Sequence, residues 1–227
     1  MNTTLLPQQQ EKISKIVNNM NLCVGKGTAE SACSIAAINL ALTGNLTDVI
    51  PDCMSAVIGK WIIGVQDAMP AEIRNSPEWK SLLPFAAGTG RDRESERLKI
   101  ILDWIWDDVL PLVQPVANEN GFGKEWEKML TAKTLNAAAD AALAADTVFD
   151  SFNYITNSAA HAARDVAAAS VSAAMASNSS AAARAVCRAA AYSSYAVAHA
   201  AARAVVCDDF WERVSPLALL EKLIRGK

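Results

Sequence analysis

Residues 181–206 read AAARAVCRAAAYSSYAVAHAAARAVV, the densest part of an alanine-rich run from Thr131 to Cys207. Alanine fills roughly two-fifths of that run, far above the usage of an ordinary domain. It is the strongest helix former, because its side chain loses no rotamer entropy and buries no polar group. It is also too small to build a core alone. The run therefore predicts long helices whose backbones approach closely, with the bulkier and charged residues placed for a reason.

Outward from this stretch almost everything reads as helix. No run of alternating β-branched residues bounded by turns stands out. The expected fold is all-α, a compact multi-helix bundle with long alanine-rich packed helices in the C-terminal half. Residues 1–130 form an N-terminal helical region, and residues 131–227 form the alanine-rich region with a C-terminal capping helix. The two are expected to make one compact unit.

The punctuation is specific. An amphipathic helix spans Pro7 to Met20, and Thr28 is expected to cap a helix over Ala29 to Leu42 that Gly44 closes. Pro51 marks the start of a strongly apolar helix from Asp52 to Met69, ended by Pro70. Gly59 and Gly64 within it suggest close approach by a neighbouring helix. Short pieces follow at Ala71–Arg74 and Pro77–Phe85. A long helix is expected from Asp92 to Val109, burying Leu98, Ile101, Leu102, Ile105 and Val109, with Arg93, Glu96, Arg97, Asp103 and Asp107 on its wetter side. Pro111 and Pro115 bend or break the chain. In the alanine-rich half, Leu135, Ala138, Ala142, Ala145, Phe149 and Phe152 form a helix-packing seam. Pro216 opens a last helix, whose leucines are expected to fold back and supply bulk that the alanine helices lack. Trp61, Trp104, Trp106 and Trp126 read as core anchors.

Composition excludes several classes. A net charge of -3 over 227 residues gives no global reason to bind long nucleic acid or an anionic membrane. Val166 to Ala183 is uncharged over a membrane-like length, yet too rich in Ser and Asn to span. Met1 to Glu11 has neither the basic start nor the apolar core of a secretory signal, so a cytoplasmic protein is expected. The five cysteines are widely spaced with no CxxC pair, and read as reduced thiols. With two histidines and neither near a cysteine pair, no metal site or cofactor is expected.

The most pointed pattern is Arg184, Arg188, Tyr192, Tyr195, His199 and Arg203. At about 100° per residue these six share one helical face, within an arc of roughly 100°. Small or apolar residues, Val186, Ala190, Ser193, Val197, Ala200 and Ala204, fill the opposing face. Arginine offers a planar fork for phosphate, tyrosine a ring for stacking and histidine a further hydrogen bond. The mixture suits a nucleotide or another aromatic anion. A solvated face is the alternative reading, but acids are absent from Ala181 to Cys207. His161 and Arg164, on the preceding helix, would approach the far end of the stripe if the Asn178–Ser180 turn returns the chain antiparallel.

Weaker candidates lie earlier. Gly88-Thr89-Gly90 with Arg91 and Arg93 resembles an anion-binding cradle at a helix start. Gly25-Lys26-Gly27-Thr28 also precedes an expected helix, but lacks the spacing of a P-loop. Asp103 and Asp107 sit one turn apart and read as a solvent-facing pair. No arrangement of nucleophile and base can be assembled, so no catalytic residue is assigned and a non-enzymatic protein is expected.

The block from Ala32 to Gly44, followed by Leu46-Thr47-Asp48 and Ile50-Pro51-Asp52-Cys53-Met54, resembles a group of uncharacterised phage and prophage proteins. Gln66-Asp67-Ala68-Met69-Pro70 and Ala86-Ala87-Gly88-Thr89-Gly90-Arg91 belong to the same resemblance, as does the alanine-rich helical C-terminal half. The chain also resembles alanine-rich bacterial immunity proteins. What these resemblances imply is a setting of phage–bacterium or bacterium–bacterium conflict. The expectation is a non-enzymatic anti-defence protein that sequesters a nucleotide-like signalling ligand. The alternative is an immunity or inhibitor protein that binds a bacterial toxin or defence effector directly. Close-packed alanine helices also favour a homo-oligomer.

Overall fold

Gln66 is the one long polar side chain turned into the apolar side of its helix, and the N-terminal fold is arranged around it. The computed structural model describes residues 5–119, 121–147 and 210–226. Over these residues the chain is all-α, with two strands of two residues each. It divides into two compact units, Met1–Arg97 with Pro216–Lys227, and Leu98–Ser215.

In the first unit, α1 (Pro7–Asn19) buries Ile13 and Val17 and packs on α2 (Ser34–Thr43) and α5 (Pro77–Ala87). Between α1 and α2 lie β1 (Asn21–Leu22) and β2 (Ser31–Ala32), paired in parallel as Asn21↔Ser31 and Leu22↔Ala32. The expected helix from Ala29 is thus shorter at its start. Residues 21–33 are used by the ladder and its connection, so the cap is Cys33, whose sulfur accepts from Ala36 N–H at 3.3 Å. Thr28 closes a turn instead, its hydroxyl accepting from Glu30 and Ser31 N–H. Gly44 does end α2, in the left-handed conformation at φ 77°.

Next, α3 (Ala56–Ala68) begins four residues later than Asp52, because Ser55 supplies the cap to Ile58 N–H at 3.2 Å. Val57, Ile58, Trp61, Ile62 and Val65 of α3 are buried. The close approach expected at Gly59 is made by Ile50 of the preceding loop rather than by a helix: a Cβ at Gly59 would lie 2.7 Å from Ile50 Cγ2. Pro70 ends α3 and opens α4 (Ala71–Arg74), and Trp79 of α5 stacks tilted on Trp61 at 6.2 Å between ring centroids. The first part of α6 (Glu94–Trp104) belongs here too.

In the second unit the expected helix to Val109 changes type. After α6 comes one π-helical turn (Ile105–Val109), in which Leu110 N–H donates to Ile105 O, five residues back. A 3-10 turn (Leu110–Val113) follows, then α7 (Gln114–Glu119). Pro111 and Pro115 explain the change, because neither can donate to the carbonyl four residues earlier. Trp126 Nε1–H takes up Leu110 O at 3.1 Å. It belongs to α8 (Gly123–Ala132), which forms a hairpin with α9 (Leu135–Thr147) through Lys133 in the left-handed conformation. Ala137, Ala138 and Ala141 of α9 are buried. Of the expected seam, Ala138 is buried as proposed; the side chains of Leu135, Ala142 and Ala145, and residues Phe149 and Phe152, lie outside the description. Then α10 (Phe210–Val214) offers the Val214 carbonyl to Trp104 Nε1–H at 2.6 Å. All four tryptophans read as core anchors are buried.

The last helix, α11 (Pro216–Arg225), opens at Pro216 as expected. It buries Leu219, Leu220 and Leu223 and packs on α3 and α5 of the first unit. Most of the alanine-rich run that its leucines were expected to cover lies outside the described residues. Among the described residues no helix is long and apolar enough to cross a membrane.

Candidate functional site

Arg184, Arg188, Tyr192, Tyr195, His199, Arg203, His161 and Arg164 lie outside the described residues. The cradle from Gly88 to Arg93 lies within them, and its geometry is fully defined. Thr89 hydroxyl donates to Ala86 O at 2.7 Å and accepts from Ser55 N–H at 3.0 Å. Gly90, at φ 61°, donates its N–H to Cys53 O at 2.8 Å. The loop is thereby tied to the start of α3. The free N–H groups of that helix already have a carboxylate: Glu94 accepts from Ala56 N–H at 3.1 Å and Val57 N–H at 2.9 Å. A negative side chain at this end also meets the favourable end of the helix dipole.

The arginines of the segment are turned to the main chain. Arg97, expected on the wet side, is only 3% exposed. It donates to Thr89 O at 2.8 Å, Gly90 O at 3.0 Å and Leu223 O at 3.4 Å. Burial pushes its pKa down, and the Glu94 and Asp92 charges push it back up. Arg93 donates to Gly226 O and to Arg225 O, and pairs with Glu96 at 2.5 Å. Together they cap the C-terminal end of α11, where helix carbonyls lack intrahelical donors. Arg91 pairs with Asp52 at 3.2 Å and keeps its side chain 46% exposed. This segment is a clamp on backbone carbonyls, with Arg91 as its solvent-facing cation.

Gly25 N–H donates to the Asp67 carboxylate at 3.1 Å, so an acid already stands at its amide. Asp103 pairs with Lys99 at 2.7 Å, and Asp107 with Lys133. The hydrogen bond that Lys99 donates to Asp103 raises the Lys99 pKa. Among the described residues, no group of three or more His, Cys, Asp or Glu is placed to hold a metal ion.

Sequence reasoning missed a buried polar cluster. Gln66 Nε2 donates to Cys23 O at 2.9 Å, and its Oε1 accepts from Ser34 N–H at 2.7 Å and from the Ser34 hydroxyl. Trp79 Nε1–H donates to Ser34 Oγ at 3.3 Å. On the other edge of β1, Asn75 accepts from Leu22 N–H at 2.7 Å and donates to Leu22 O at 3.0 Å. Arg74 adds Leu22 O at 3.0 Å and Gln66 O at 2.9 Å. Two side-chain amides thus extend a ladder of two residue pairs. The available signal was Gln66 itself, a polar residue in an apolar helix. The Ser34 hydroxyl is held between the Gln66 amide and the Trp79 indole, and the cluster orders the backbone at the end of the ladder.

No family model, no curated protein and no solved structure matches this chain.

Proposed function

We propose that the chain is a non-enzymatic binding protein for a phosphate-bearing, nucleotide-like ligand, held by the stripe from Arg184 to Arg203. In the setting that its resemblances imply, it is a phage anti-defence protein that sequesters a signalling nucleotide in the host bacterium. The observation that carries the reading is the sequence spacing of three arginines, two tyrosines and one histidine, which would put all six on one face of a helix, with no acid from Ala181 to Cys207. Elsewhere Arg74, Arg93 and Arg97 are tied to main-chain carbonyls, and Arg91 and Arg225 face Asp52 and Glu221. In this reading His161 and Arg164 are further donors to the phosphate.

The test is thermal stabilisation of the chain across a panel of cyclic and linear nucleotides. A ligand at a hundred times its Kd adds about 2.7 kcal/mol to stability, a shift of several degrees in Tm. Arg188→Ala and Tyr195→Ala are expected to abolish that shift, and the nucleotide is expected back unmodified. Unchanged melting with every nucleotide, together with capture of one bacterial toxin or defence effector, would replace sequestration by direct inhibition of that protein.

A further inference from the structure

We propose that Cys23 and Cys33 form a reversible disulfide, a redox lock on the connection between β1 and β2. The register carries the argument. Asn21 pairs with Ser31 and Leu22 with Ala32, so Cys23 and Cys33 each stand one residue beyond the last pair of the ladder. The strands are still joined at that step by Cys23 N–H to Ala32 O at 3.1 Å. One step later the Gln66 amide is inserted between Cys23 O and Ser34 N–H. The cysteine pair therefore sits between a direct and a bridged rung, where neighbouring strands run about 4.8 Å apart and a disulfide spans roughly 4.4–6.8 Å between Cα atoms.

The two thiols differ in access. Cys23 is half-buried, its sulfur donating to Ser31 O at 3.3 Å, while Cys33 is buried at the start of α2. Cys23 is the side that meets an oxidant. A hydroperoxide oxidises the Cys23 thiolate to sulfenic acid and is itself reduced to an alcohol, or to water from hydrogen peroxide. The Cys33 sulfur then attacks the Cys23 sulfur. The S–S bond forms, the S–O bond breaks, and hydroxide leaves with the Cys33 proton as water. The Ala36 N–H loses its sulfur cap in the process, and residues 24–32 become a closed loop.

Tryptic peptide mapping of the full chain reads this directly. Trypsin cuts after Lys15, Lys26 and Lys60, which places Cys23 on residues 16–26 and Cys33, with Cys53, on residues 27–60. In a Cys53→Ser chain treated with hydrogen peroxide, trapped with iodoacetamide and digested without reduction, these two peptides are expected as one linked species. Dithiothreitol should release it, Cys23→Ser should abolish it, and its yield should not change on tenfold dilution of the protein. Fragmentation of the linked wild-type peptides should place the bond at Cys33 rather than Cys53. Recovery of Cys23 as an alkylated thiol or sulfinic acid with 27–60 unlinked would overturn the proposal. So would a link from Cys23 to Cys187 or Cys207, or a yield that falls with dilution.

Discussion

Gln66 accepts the main-chain N–H of Ser34 through Oε1 at 2.7 Å, across thirty-two residues of sequence. Its Nε2 donates to Cys23 O, so one side chain takes the place of a ladder hydrogen bond that β1 and β2 do not make themselves. Gln66→Leu keeps the volume and removes both partners, leaving a buried N–H and C=O unpaired. Each such loss costs about 1–3 kcal/mol. A destabilisation of about 3 kcal/mol is expected in urea titration, with faster amide exchange at Ser34. A change below about 1 kcal/mol would show that water replaces the amide without cost.

Two glycines of the same connection separate backbone strain from crowding. Gly25 and Gly27 have φ of 67° and 76°, where side chains are disfavoured. A Cβ at Gly25 meets nothing within 4 Å, whereas at Gly27 it meets Ser31 O, Ala32 Cα and the Cys23 sulfur. Gly25→Ala should cost about 1–2 kcal/mol, the strain alone. Gly27→Ala should cost clearly more. Equal effects in thermal or urea unfolding would remove the close approach as the reason for Gly27.

Arg97 joins the Gly88–Gly90 turn to α11 through three carbonyls. Arg97→Lys offers one ammonium where a planar fork serves separate acceptors, so it should recover little. Arg97→Met is expected to cost about 2–4 kcal/mol, because buried carbonyls lose their donors. Hydrogen exchange should show this first as lost protection in α11. Protection of α11 equal to wild type in both variants would refute the clamp.

Burial pushes the Cys33 thiol pKa up, although hydrogen bonds from Ala36 and Ile35 pull it partly down, and burial also raises that of Cys53. Above the ordinary thiol pKa of about 8.5 the unfolded chain releases these protons while the folded chain retains them. The folded state then binds more protons, so stability is full below that pH and falls as pH rises through the folded pKa. Replacing Cys33 and Cys53 by Ser should flatten the decline measured between pH 8 and pH 10. Serine at position 33 keeps an acceptor for Ala36 N–H. An unchanged alkaline slope in the double variant would assign the decline to other groups.

Much of the helical fold was legible in local signals. Gly44, Pro70, Pro77 and Pro216 stand at the helix ends where their chemistry puts them, and the apolar face of α3 and the buried tryptophans follow from pattern. What escaped were contacts between residues far apart. A ladder of two pairs has no period to detect, so Thr28 looked like a helix cap when Cys33 holds that place. Arg97 looked solvent-facing because its helix neighbours are charged, yet one of its acceptors, Leu223 O, lies 126 residues away. The candidate site reads the other way round. Its stripe was read from spacing alone and lies outside the described residues, whereas the role of the Gly88–Arg93 cradle emerged only from what its arginines reach.

Residue order alone was enough to read the described part of this protein as helical, to find the helix ends marked by Gly44, Pro70 and Pro216, and to see which faces are apolar. These depend on propensity, caps and spacing within a few residues. Only the tertiary structure decided that α11 joins the N-terminal unit, that Glu94 fills the start of α3, and that Arg93 and Arg97 hold carbonyls. A buried polar group must find a partner wherever the fold brings one, and that partner leaves no mark in the neighbouring sequence.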